Sequence, residues 1–237
     1  MWVVAEYEAT SLFTLKAAAA TSSGAKTLLV PTPYSVKMAL LDVVCRTDGE
    51  AEGRRAWDWL RALRMGLRPA ERVVVSNLFE KILKPRRSQP AEGSTDQGPY
   101  QRTISYREYA QLCGPMGIAL GEIGQEPRAR ELARWMTGIG YLGRRGSFVQ
   151  VCAAPRLTDA LPDGFVAIGS DNRKEIPRHG AVQMLDDCDP GVPFDRVSTY
   201  SSESMRRGRD RVFHHIVLPY RVASSSRGYT AYERIDG

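Results

Sequence analysis

Leu28-Leu29-Val30-Pro31-Thr32-Pro33-Tyr34-Ser35-Val36-Lys37-Met38-Ala39-Leu40-Leu41-Asp42 is the stretch on which the fold turns. A short apolar run stops at a proline. Thr32 then offers a side-chain oxygen to the first free amides of a helix, and Pro33 takes the first helical position, where a missing N–H costs nothing. Val36, Ala39, Leu40, Val43 and Val44 recur at helical spacing, so this helix packs one face against a sheet. On its N-terminal side, residues 2 to 9 alternate as a first strand, and residues 17 to 26, rich in Ala, Ser and Thr, form the intervening loop.

On the C-terminal side, residues 50 to 65 read as a second helix, with Trp57, Leu60, Leu63 and Arg64 marking its stripe. Residues 72 to 83 are strand-like through Val73-Val74-Val75 and Asn77-Leu78-Phe79. Lys81, Lys84, Arg86 and Arg87 then precede a polar, Gly- and Pro-containing stretch, residues 88 to 100. An extended pattern resumes at Arg102 and holds Tyr106, Arg107 and Tyr109. Residues 80 to 107 are therefore expected as two basic strand ends joined by a mobile tip. A third helix over 125 to 136 is apolar at Ala129, Leu132, Ala133 and Met136, and a buried strand follows at 147 to 153. Residues 155 to 193 are loop-heavy, with a short strand at 165 to 168; 212 to 222 is the last clear strand, and 224 to 227 turn a closing hairpin. The order implies an α+β fold, a sandwich of split βαβ type.

Residues 137 to 149, Thr-Gly-Ile-Gly-Tyr-Leu-Gly-Arg-Arg-Gly-Ser-Phe-Val, carry the clearest local chemistry. Gly138, Gly140, Gly143 and Gly146 strip side chains from a turn, and Arg144 and Arg145 put two fixed charges at its tip. Such a turn can press against a sugar-phosphate chain. Its residues are equally those of a solvated hairpin.

The 237 residues are 43% hydrophobic, enough for a full core, and carry a formal net charge of +6. Arginines number 27 and lysines 6. Arginine grips phosphate with two donors, which suits nucleic acid, although GC-rich codon usage inflates arginine too. Cys45, Cys113, Cys152 and Cys188 form no Cys-x-x-Cys pair or Cys/His cluster, so neither a zinc site nor a cofactor is expected. Three of them lie beside apolar residues and are expected to be buried, as suits a reducing cytoplasm; Cys188, in an Asp-rich turn, is the expected exposed thiol. The start reads as a strand, not a signal peptide, and no stretch approaches membrane-spanning length.

Three segments together resemble a known family. Leu28 to Asp42 resembles the Pro-Thr-Pro-x-x-x-Lys/Arg-x-x-Leu start of the first helix in the Cascade 5′-handle subunits, the Cas-five family of RAMP proteins from type I CRISPR effector complexes. Tyr106-Arg107-Glu108-Tyr109 resembles the strand that returns from that family's protruding hairpin. Tyr141-Leu142-Gly143-Arg144-Arg145-Gly146-Ser147-Phe148-Val149 resembles its Leu/Phe-Gly-Lys/Arg-x-x-Ser motif. The matches keep family order over residues 1 to 155. The resemblance implies a ferredoxin-like, RNA-recognition-type core in 1–155, with a long basic hairpin, or thumb, at about 80–107. Residues 156–237 would be irregular, completing or flanking that core. It also implies binding of the guide RNA 5′ handle, a backbone subunit and a large subunit as neighbours, and target DNA near the protospacer-adjacent motif as a further contact.

With that resemblance, the candidate RNA-binding residues are Lys81, Lys84, Arg86, Arg87, Arg102 and Arg107 on the hairpin arms, with Tyr106 for stacking. Gly143, Arg144 and Arg145 join them, as do Tyr34, Ser35 and Lys37 at the helix N-terminus, where free amides favour phosphate. Routine capping with Lys37 in solvent is the plainer reading there. Arg206, Arg207, Arg209 and Arg211 form a run diluted by Glu203 and Asp210, fit for RNA or a protein partner. Some family members cut precursor guide RNA without metal, using histidine as general acid or base. Here His214 and His215 point to opposite faces of a strand, His179 sits in a turn expected to be solvated, and none is near the basic hairpin. Asp186, Asp187 and Asp189 lack a calcium-loop register and read as a polar turn. The chain thus reads as a non-catalytic guide-RNA handle-binding subunit. A metal-independent endonuclease is its rival, and a generic basic α/β protein the third reading.

Overall fold

A computed structural model describes residues 1–17, 24–88, 90, 93, 98–169, 179–206 and 208–235. β1 (Trp2–Ala9) opens the chain, followed by the short β2 (Gly24–Ala25) and α1 (Pro33–Thr47). Thr32 caps α1 as its sequence predicts: its hydroxyl accepts from Ser35 N at 3.1 Å, and the Ser35 hydroxyl accepts from Thr32 N at 3.0 Å. Val36, Leu40 and Val44 are fully buried on the face that the spacing marks. α2 (Glu50–Leu60), β3 (Arg64–Arg68), β4 (Arg72–Pro85), β5 (Tyr100–Cys113) and β6 (Met116–Gly121) follow. Then come α3 (Glu126–Thr137), β7 (Val149–Val151), β8 (Arg156–Thr158), β9 (Val166–Ile168), β10 (Ala181–Cys188), β11 (Arg211–Leu218), β12 (Tyr220–Ser225) and β13 (Tyr229–Arg234).

The central sheet is antiparallel with order β7-β1-β6-β3-β9. β7 and β8 share one edge of β1, opposite Tyr7–Ala9 and Trp2–Val4 respectively. α3 packs on β1, and the Tyr7 hydroxyl donates to Met136 O at 2.7 Å. A second sheet runs β12-β13-β4-β5-β2. Its β4–β5 hairpin pairs without a break from Arg72↔Cys113 to Pro85↔Tyr100. Residues 80 to 107 thus form paired strand ends, while most of the expected tip lies outside the described residues. β10 and β11 form a separate ribbon, and β10 packs on α1.

Several sequence expectations change. The second helix ends at Leu60, where Ala62 N and Leu63 N reach back only three residues, and Arg64–Arg68 becomes a strand because Met65 pairs with Leu120 and Ile168. β6, buried at all six residues, was not anticipated. The strand expected over 147 to 153 shortens to β7, leaving Cys152 exposed. Cys188, expected to be exposed, is buried at the end of β10, and Cys45 and Cys113 are half-buried. The strand expected over 212 to 222 divides at Pro219 into β11 and β12. Asp186 and Asp187 lie in β10 rather than in a turn.

Candidate nucleic-acid interface

A cleft of about 690 Å³ runs along one side of α1, from Tyr34 to Arg46, where it meets the glycine turn, β5 and the β10–β11 ribbon. Tyr34, Ser35, Arg107, Gly143, Arg144 and Arg145 all line it, so six of the thirteen candidate residues come together from three distant segments. Gly143 has φ +74, and a side chain there would meet Leu15 Cδ2 at 2.7 Å. The bare backbone that was expected to press on RNA presses on Leu15 instead, and the turn is thereby seated beside α1. Its tip carries the charge. Among the described residues neither Arg144 nor Arg145 has an acidic partner, which leaves both guanidiniums for a ligand.

The helix N-terminus is less open to phosphate than its sequence suggests. Pro33 has no N–H, Ser35 N donates to Thr32 Oγ1, and Val36 N donates to Thr32 O. Ser35 is a buried cap rather than a contact. Lys37 is not at the surface at all. It is 2% exposed, and its ammonium donates to Asp187 Oδ1 at 2.7 Å and to Arg61 O at 2.8 Å. The expectation that Lys37 meets RNA fails because α2 and β10 cover that side of α1. Burial raises the Asp187 carboxyl above its ordinary range, and the Lys37 charge opposes that shift.

The hairpin register also divides the predicted cations. Side chains alternate between faces along a strand. Arg107 shares its face with Glu80 and Lys84, and Lys81 and Arg102 lie on the other, with Phe79, Leu83, Ile104 and Tyr106. Arg107 is steered by Glu80, its Nε 3.6 Å from Oε2, while the Tyr109 hydroxyl donates to Glu80 Oε1 at 3.0 Å. Tyr106 is engaged within the protein: its hydroxyl lies 2.9 Å from Asn77 Oδ1 and 3.0 Å from Glu108 Oε1, and its ring tilts against Phe79 at 5.1 Å. Arg86 and Arg87 lie just past the last strand pair, where Arg86 N donates to Pro99 O at 2.9 Å. Phe79 is 71% exposed and Ile104 63%, so this outer face is apolar as well as basic.

Part of the cleft wall lies outside the thirteen candidates. Arg211 ion-pairs with the buried Asp186, and its guanidinium lies 4.0 Å from the Tyr34 ring centroid. Tyr200, Lys16 and Arg46 line the cleft as well. The only signal for Arg211 was its place at the end of a charged run, and that run has a structural centre: Arg196 and Arg206 both turn onto the buried Asp210. Arg207 lies outside the described residues. Among the described residues no group of three or more His, Cys, Asp or Glu side chains is placed to hold a metal, and no helix is long and apolar enough to cross a membrane. His214 Nε2 lies 4.0 Å from Asp187 Oδ2, half-buried, whereas His215 is exposed; neither lines the cleft.

Fold and cleft together define a mixed helix-and-sheet protein with antiparallel sheets and an arginine-lined cleft beside a long hairpin. The chain is 22% identical over 227 residues to the CRISPR-associated protein Cas5 of Archaeoglobus fulgidus, across 91% of this chain and 92% of that protein. The resemblance to the Cas-five family thus extends beyond the motifs of the first 155 residues. No family model matches the chain. Among solved structures, one described as a CRISPR protein from Archaeoglobus fulgidus is similar at TM-score 0.48 and 12% identity, over 99% of this chain and 92% of that one. A chain of a CRISPR RNA-guided surveillance complex is similar at TM-score 0.49 and 15% identity, over 91% of this chain and 88% of that one.

Proposed function

We propose that the chain is a non-catalytic subunit of a Cascade-type CRISPR surveillance complex, a member of the Cas-five family that binds the 5′ handle of the guide RNA in antiviral defence. The observation that carries this reading is the convergence of Arg107, Arg144 and Arg145 on one cleft beside the start of α1. Phosphate contacts supply most nucleic-acid affinity; Arg144 and Arg145, without acidic partners among the described residues, are the cations free to make them, and Arg107 is positioned beside them by Glu80. The sheet order supports a ferredoxin-like core. With β7/β8 taken as the fourth strand, β1 as the first, β6 as the third and β3 as the second, the order is 4-1-3-2. The β4–β5 hairpin, inserted between the second and third of these strands, is then the thumb. The exposed apolar and basic outer face of that hairpin suits contact with the backbone subunit or the guide, and the large subunit would complete the assembly.

The test is binding of labelled repeat RNA in chelator, together with sequencing of RNA that co-purifies with the protein. The expected co-purifying species has repeat-plus-spacer form. Replacing Arg144 and Arg145 by alanine removes two phosphate contacts, so the log–log salt slope should shallow by about 1.4 at ~0.7 per contact on single strands. An unchanged slope rejects the cleft as the RNA site. A discrete cut of the repeat RNA in chelator rejects the non-catalytic reading in favour of a metal-independent nuclease.

A further inference from the structure

Arg211 is held in a way that a plain ion pair does not need. The buried Asp186 fixes one edge of its guanidinium, and the Tyr34 ring lies under one face with 4.0 Å from Cζ to the ring centroid. The side chain is still 31% exposed, and all three residues line the cleft. A planar cation backed by an aromatic ring is a stacking platform, because unpaired RNA bases stack on arginine planes as readily as on aromatic side chains. Tyr200 lines the same cleft, is 76% exposed and has no ring partner among the described residues. Apolar side chains, Leu41, Phe194 and Val197 among them, also line the cleft. A phosphate gains nothing from apolar side chains, whereas the apolar face of a base does.

We infer that the Arg211–Tyr34 pair, with Tyr200 on the same cleft, is a nucleobase-stacking subsite for one unpaired base of single-stranded RNA. Arg144 and Arg145 hold the adjoining backbone. The inference rests on the RNA-binding reading of the cleft and assigns its C-terminal wall, from β11 and the loop before it, a direct role in that binding.

The probe is a pool of randomised-sequence oligoribonucleotides, each with a central 2-aminopurine, whose fluorescence falls when the base stacks. With the wild-type chain, fluorescence should fall on binding. Arg211→Lys keeps the charge and the Asp186 pair but loses the plane, so affinity should weaken about 5- to 150-fold, the range for one stacked base, with the salt slope unchanged. Tyr200→Ala, at an exposed loop position, should reduce the quench without lowering thermal stability. Tight binding without quenching, or quenching that survives both substitutions, overturns the stacking subsite and leaves the RNA-binding reading intact. Absence of RNA binding by the wild type overturns both.

Discussion

Lys37 shows what spacing along one helix does not reveal. It stands three residues before Leu40 and seven before Val44, at the edge of the apolar face of α1, where α2 and β10 close over it. Its ammonium joins the helix-end carbonyl of Arg61 to Asp187. Lys37→Ala should therefore cost about 3 to 5 kcal/mol, because it leaves the largely buried Asp187 carboxylate without its ammonium partner. Urea unfolding measures the loss, and the salt slope for RNA should stay as in the wild type. A cost below about 1 kcal/mol, the range of an exposed pair, would mean that water reaches Asp187. Cys188 carries the same lesson. Three aspartates around it suggest a wet turn, but Asp186 and Asp187 are neutralised by Arg211 and Lys37, and burial pushes the Cys188 thiol up to about 12.

Elements with local punctuation were legible. Thr32-Pro33 starts α1 and Pro127 marks the start of α3, because caps and prolines act within one turn of chain. β3 and β6 were not, since Arg64–Arg68 and Met116–Gly121 owe their conformation to pairing with each other and with β9 and β1 respectively. The packing of α1 against α3 is likewise fixed by a contact that no local pattern announces. Asp48, just past α1, accepts from the Arg134 guanidinium and, at 2.7 Å, from Trp135 Nε1. Those hydrogen bonds hold its carboxyl at about 2, below the ordinary carboxylate range. A carboxyl lowered in the folded state binds fewer protons there than in the unfolded chain. Its stabilisation is thus fully present above the unfolded value near 4 and is lost as pH falls through about 2. Asp48→Asn should be less stable than wild type by a constant margin above about pH 5, and the two should converge between about pH 4 and pH 2. Thermal melts across that range give the comparison; a margin that persists at pH 2 would place the effect in packing rather than charge.

At the scale of the molecule, the cleft is a product of topology. Its walls come from residues 14–16, one side of α1, β5, the 141–145 turn and the 186–211 region, and no short segment contains more than part of it. Six candidates were found because each stood in a motif, whereas Arg211 stood only in a basic run fit for RNA or a protein partner and Tyr200 in no pattern, because theirs is a neighbourhood made only by folding. The same construction makes RNA binding a constraint on the whole chain. A ligand that touches walls from five regions stabilises only the state in which all five are in place, and at a free concentration of 100 times Kd it adds about 2.7 kcal/mol to stability. Amide exchange in the 13–16 segment, the 104–109 part of β5, the 141–148 turn and β11 should therefore slow together on addition of single-stranded RNA. The Arg144→Ala, Arg145→Ala double variant at the same RNA concentration should show a weaker, equally distributed effect. Because the four segments are joined through the core by Leu15, Tyr34 and the Arg211–Asp186 pair, slowing limited to β5 would mean that RNA meets only the hairpin and that the cleft is not its seat.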